Sequence, residues 1–288
     1  MTTAYHLREP NVVQGPVVFA SPHSARDYPP ELIRHSVLDL ATLRSSEDAY
    51  VDLLVGAAPD HGAPLLLGGA PRAYVDYNRA AGELDPALIA DISRGTLNPR
   101  VASGLGVIPR VVARGRAIYR GKISRAEAEH RLRTCWHPYH ARLTELLEAQ
   151  RLRFGQAILL DMHSMPHEAV ITEARRGGQR PDIVIGDRFG ASAAPEIVAA
   201  VEAAFADTGL RVARNVPFAG AYMVQAYGRP ALDQHAVQIE IDRALYLDET
   251  RMAPHSGFNA FQRMMNGIVA NLASIGRSQA STPPLAAE

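Results

Sequence analysis

A single cysteine, Cys135, occurs in 288 residues, so no internal disulfide can form, as expected of a chain kept in a reducing cytoplasm. Long apolar runs are also missing, and none approaches the roughly 20 residues that a membrane-spanning helix requires. The opening MTTAYHLREPNVVQG contains acid and no apolar segment, unlike a secretory leader. Net charge is absent. The 30 basic residues balance 30 acidic ones, which removes any whole-molecule attraction to nucleic acid or to an anionic membrane. Nucleotide signatures fail too: GLGVIPR, residues 104–110, lacks a third glycine, and neither a Walker loop nor a G-x-S-x-G elbow occurs. What these absences leave is a cytoplasmic globular chain, long enough to bury a sizeable core.

What is present is an alternation of short β-like runs with longer helical patterns. The expected strands are VVFAS (17–21), PLLLGG (64–69), AYVDYN (73–78), AILLDMH (157–163), DIVIGD (182–187), RVARNV (211–216) and AVQIEI (236–241). Helical patterns fall around 45–60, 124–150, 192–207 and 256–274, with Ser124 and Ser192 as expected N-caps. Near-continuous apolar strands separated by helices predict an α/β fold with a largely parallel sheet covered on both faces. The Gly-, Pro- and Arg-rich stretch 80–122 reads as long covering loops. Residues 1–275 are expected to form a single domain, and 276–288 an unstructured tail.

Two of these strands deliver a histidine at their carboxyl ends, where open α/β sheets collect their chemistry. His23 follows VVFASP, and His163 closes AILLDMH. Between them RSSEDAYVDLL carries Glu47 and Asp48, either of which can face the same crevice. Two imidazoles, a carboxylate and an open position compose the usual catalytic zinc sphere. Asp161 lies two residues before His163, on the same side of its strand, and can accept an imidazole N–H. Each piece taken singly is ordinary: a strand-end histidine is more often structural, and acids commonly open helices. In AVQIEI, Glu240 sits inside an apolar run, where an acid is costly to bury unless paired or functional, so it is the candidate general base. Asn78 and Arg79 close YVDYNR, and a guanidinium fork there suits an anionic substrate. Arg110, Tyr119 and Arg120, in GVIPRVVARGRAIYRGK, can add cationic or phenolic contacts. His137 and His140, three apart, lack a third ligand and are read as packing residues.

The segments SPHSARDYP, EDAYVDLL, YVDYNR, GVIPR, IYRGKIS, HPYHARL, LLDMHSMP, DIVIGDRFG and HAVQIEIDRALYLDE occur in the order seen in N-formylglutamate amidohydrolases. The chain resembles that family from about residue 16 to 266. The resemblance implies a three-layer α/β/α domain around a mixed, largely parallel sheet, similar to zinc carboxypeptidases and aspartoacylases. It implies hydrolysis of N-formyl-L-glutamate to formate and L-glutamate, in histidine degradation, with one zinc ion per chain. By position, His23 and His163 correspond to zinc ligands, Asp48 to the third ligand with Glu47 its competitor, and Glu240 to the base. Asn78 and Arg79 correspond to a pair holding a substrate carboxylate, with Arg79 also beside the reacting atoms. Ala25 replaces a turn glycine and is expected to restrict that loop. The partner expected is thus a small anionic N-acyl amino acid. Two other readings are a zinc peptidase or amidase on a larger acyl or peptide group, and a metal-binding protein without catalysis.

Overall fold

The computed structural model describes residues 2–93, 98–175 and 180–277. Seven strands form one sheet: β1 (Tyr5–Arg8), β2 (Val17–Ser21), β3 (Leu65–Gly68), β4 (Ala157–Met165), β5 (Ile183–Gly186), β6 (Val212–Arg214) and β7 (Gln234–Asp242). Their spatial order is β1-β3-β2-β4-β7-β5-β6. The pairs β3–β2, β2–β4, β4–β7 and β5–β6 are parallel, whereas β1–β3 and β5–β7 are antiparallel. The sheet is mixed and largely parallel, as the apolar strands led one to expect.

Side-chain alternation divides the interior in two. One face presents Val17, Phe19, Leu160, Met162, Ile239 and Ile241 to helices α3 (Pro195–Ala206) and α4 (Phe258–Ser274). Chain order places α1 (Arg125–Arg131) and α2 (His137–Phe154) before them, and α2 packs on the opposite face, over Val18, Ala20, Leu159 and Ala236. Helices on both sides make the α/β/α layering. No helix among the described residues is long and apolar enough to cross a membrane. The strand face under α2 is apolar where β4 and β7 begin and polar where they end, at Asp161, His163, Gln238 and Glu240. That change of character along one face is what places chemistry at the carboxyl edge.

Local details depart from the sequence pattern. AYVDYN forms turns rather than a strand: Tyr74 and Val75 N–H groups donate to Pro71 O, and the Asn78 N–H donates to the Asp76 carboxylate. Its apolar side chains are buried in the core below α2 without joining a ladder. The 45–60 pattern breaks into a short helix at Val51–Leu54 preceded by extended backbone at Glu47 and left-handed Tyr50 (φ 65°). Ser124 caps α1 as expected, accepting from Glu127 N–H. Ser192 does not cap α3, which starts at Pro195; its hydroxyl donates instead to Ala236 O at 2.7 Å. Pro138 has no N–H to offer, and the turn just before it, Leu132–Trp136, widens to a π-helix. Strand β1, only four residues long and half-exposed at an edge, was not foreseen. Residues 278–288 of the expected tail lie outside the described residues.

Candidate metal centre

Backbone pairing alone brings most of the centre together. In the parallel β4–β7 pair, His163 stands opposite Glu240 and Asp161 opposite Gln238, all on one face. On the other side of β4, β2 runs in parallel and releases the chain at Pro22, so His23 projects over the same edge. The Asp48 N–H then donates to His23 O at 3.1 Å, fastening the Asp48 loop to the His23 loop. Asp48 lies before its helix rather than in the helix's first turn, and this break aims its carboxylate at the histidines. Ala25 is absent from the positive-φ residues, so alanine fits there without strain.

The result is a buried cluster in which one ligand atom each from His23, Asp48 and His163 lie within 4.8 Å of one another. Asp48 Oδ2 is 2.8 Å from His163 Nδ1 and 3.3 Å from His23 Nδ1. The second contact is misaligned for a hydrogen bond, which leaves the buried His23 Nδ1 without a partner. An orphaned, fully buried nitrogen beside a carboxylate and a second imidazole is what a divalent ion would satisfy. Glu47, the competing acid, turns away and accepts from Arg44 Nε at 3.0 Å.

Each imidazole is backed on its far nitrogen by a carboxylate, the arrangement that orients metal-ligating histidines. Asp76 Oδ1 accepts from His23 Nε2 at 2.8 Å, and Asp161 Oδ1 lies 2.9 Å from His163 Nε2, an ion-pair contact out of line for a hydrogen bond. Arg243, also buried, donates to Asp48 Oδ1 at 3.1 Å and to Glu47 O at 2.7 Å. Burial alone would raise Asp48 and Asp76. His163 and His23 outweigh it at Asp48, and Arg72, His23 and Arg79 outweigh it at Asp76, so both carboxyls fall well below their usual range. Burial alone would lower His163, but Asp161 and Asp48 hold it well above the ordinary imidazole value. Glu240 behaves oppositely to the other acids. Burial dominates, Asp48 and Asp161 add to it against His163 and Arg72, and its carboxyl is pushed up to about 7.

The sequence profile of the N-formylglutamate amidohydrolase family matches residues 15–247. The chain belongs to that family. N-formylglutamate deformylases of Pseudomonas aeruginosa and Pseudomonas putida are 29% and 27% identical over 239 and 242 residues. These alignments cover 81% and 82% of this chain and 83% of each relative. The crystal structure of N-formylglutamate amidohydrolase from Ralstonia eutropha JMP134 matches with a TM-score of 0.87 at 34% identity, covering 96% of this chain and 99% of that one. Family membership makes the chain a hydrolase.

This N-formylglutamate amidohydrolase family member opens its cluster into a cavity of about 460 Å³, whose wall includes His23, Asp48, His163 and Glu240. Segments of the 80–122 stretch, from Arg100 to Gly115, form part of the cavity wall. Of the residues expected to meet substrate, Arg79 and Asn78 lie in the wall and the others do not. Arg110 donates to Asp85 Oδ2 at 2.8 Å, Tyr119 accepts from Arg131 Nη1 at 2.7 Å in the core, and Arg120 is exposed outside the wall. The reason is the hairpin pairing Val111–Val112 with Arg116–Ala117, which carries Arg114 to the mouth instead. Arg72, Arg100 and Arg243 complete the cationic lining and were not foreseen. Asp76 was missed as well, although it is an acid inside an apolar run, the same signal that marked Glu240.

Proposed function

We propose that the chain hydrolyses the formyl amide of N-formyl-L-glutamate to formate and L-glutamate, with one zinc ion held by His23, Asp48 and His163. The observation that carries this reading is the register of β4 against β7, which sets Glu240 beside the His–Asp–His cluster in an arginine-lined cavity. Two imidazoles and a carboxylate favour zinc among the divalent ions. A zinc ion bound there supplies Lewis-acid polarisation of the amide oxygen and lowers the pKa of a water molecule. Glu240 takes the proton of the attacking water and passes it to the leaving nitrogen. A carboxyl balanced near neutral pH can do both. Arg79 and Arg72 supply positive charge for the substrate carboxylates and for the oxyanion that develops during attack. The reading places this reaction in histidine breakdown in the cytoplasm, where a lone thiol such as Cys135 stays reduced.

The test pairs metal content with formate release from N-formyl-L-glutamate, run beside N-formyl-aspartate and N-acetyl-glutamate. One zinc per chain with fast release from the glutamate substrate is expected. One zinc with no turnover of any of the three would overturn the substrate. The size of the cavity favours, as a second reading, an amidase or peptidase acting on a larger acyl group. Cleavage of longer acyl or peptide amides in place of the formyl amide would establish that reading.

A further inference from the structure

We infer that Trp136 and His140 are positioning residues that hold the turn carrying Asn78 and Arg79 in place for substrate. The inference rests on the proposed role of that pair in binding a substrate carboxylate, and deepens it. Asn78 and Arg79 line the cavity from a segment that joins no strand ladder. Residues 77–79 are buried all the same, and a buried carbonyl without a donor is costly. The helix packed against them supplies the donors. His140 Nε2 donates to Tyr77 O at 2.9 Å, and Trp136 Nε1 donates to Arg79 O at 2.9 Å. The two bonds clamp the backbone on either side of Asn78.

Spacing lets one helix make both bonds. Trp136 ends the π-helical turn Leu132–Trp136 and α2 continues from it through HPYHARL, so Trp136 and His140 stand four apart on one face. Their ring centroids are 4.0 Å apart, with the planes tilted by 33°. The tautomer of His140 follows from its partners. A carbonyl only accepts, so Nε2 carries a hydrogen. Burial lowers the ring to about 4, so it is neutral at neutral pH and Nδ1 accepts from the Tyr227 hydroxyl at 2.8 Å. Tyr227 thereby sets which nitrogen faces Tyr77. Arg79 depends on such support. Its buried Nε lacks a partner, and among the described residues its one ion-pair contact is Asp76 Oδ2 at 3.9 Å. With so little holding the guanidinium, the backbone beneath it decides where it points, and its unpaired N–H is left for an anion.

The experiment compares Trp136→Phe, His140→Leu, His140→Gln and Leu147→Ala with the parent chain, all assayed with zinc supplied. Formate release from N-formyl-L-glutamate gives kcat and KM. Calorimetry gives the Kd for L-glutamate, a probe that needs no formyl amide. Trp136→Phe keeps a ring and deletes one N–H, His140→Leu deletes the other donor, and His140→Gln restores one. Trp136→Phe and His140→Leu are expected to raise KM and the glutamate Kd about tenfold, while kcat changes less than about threefold. His140→Gln is expected to stay within about threefold of the parent in all three. Leu147, buried further along the same helix, tests for a merely structural effect: Leu147→Ala is expected to lose stability and keep KM. A folded Trp136→Phe variant with parental KM and glutamate Kd would overturn the inference, as would an equal rise in Leu147→Ala. Trp136→Phe decides alone where His140→Leu does not fold. A parent chain that binds L-glutamate without releasing formate refutes the proposed substrate, and the Kd comparison still decides the clamp. A parent chain that does neither overturns both.

Discussion

Replacing Asp76 by asparagine removes one charge from the metal centre while leaving its shape. Asp76 Oδ1 accepts from His23 Nε2 at 2.8 Å and from the Asn78 N–H at 2.9 Å, and an amide oxygen can keep both bonds. What changes is the other oxygen, which accepts from Arg72 Nε at 3.0 Å and becomes an NH2 facing a donor. Because Arg72, His23 and Arg79 hold the carboxyl well below its usual range despite burial, Asp76 is fully ionised at neutral pH. The substitution therefore deletes a whole negative charge from the group that orients His23 as a ligand. Losses of this kind cost about 10–100-fold in metal affinity, or roughly 1.4–2.7 kcal/mol. Chelator competition at fixed pH measures the zinc dissociation constant, and circular dichroism checks that the fold persists. A folded Asp76→Asn variant that binds zinc as tightly as the parent would refute the assignment of His23 as a ligand backed by Asp76.

Three further outcomes are expected. Glu240→Gln retains zinc and KM but lowers kcat by about 10²–10⁴-fold, measured as formate release; parental turnover would remove Glu240 as base. His163 is held well above the ordinary imidazole value by Asp161 and Asp48, so the metal-free chain carries an extra proton there at neutral pH. Zinc binding must expel it: apparent affinity drops about tenfold for each unit the pH falls below that raised value, and levels off above it. Calorimetry in buffers of different ionisation enthalpy reads the released proton, and buffer-independent heats would count against His163 as a ligand. His140, buried against Tyr77 O and Tyr227, is lowered by burial from 6.5 to about 4. Its folded value lies below its unfolded one, so stability is intact above pH 6.5 and declines by up to about 3 kcal/mol as pH falls toward 4. Urea unfolding across that window should show the decline, and His140→Gln should flatten it.

The sequence alone determined the fold class, because strands buried on both faces must be apolar almost throughout and their spacing leaves room for helical crossovers. It also marked residues that are costly to bury without purpose: two histidines at strand ends and an acid within AVQIEI. Those signals are local, and local signals are what a sequence displays. The orientation of the acids was not legible. Glu47 and Asp48 are adjacent, and only the break before Val51, with the Asp48 N–H on His23 O, turns Asp48 inward and leaves Glu47 to Arg44. Which arginines line the cavity depended on a two-residue hairpin that exposes Arg114 and turns Arg110 to Asp85. Asn78 and Arg79, adjacent in the motif, both line the cavity, but which groups hold the Asn78 side chain was not legible. The Asn78 amide donates to Asp161 and Gln238, which lie 83 and 160 residues along the chain. Side-chain type and strand pattern are properties of short segments, whereas hydrogen-bond partnership in a buried site belongs to groups far apart in sequence, and only the tertiary structure brings them within hydrogen-bond reach.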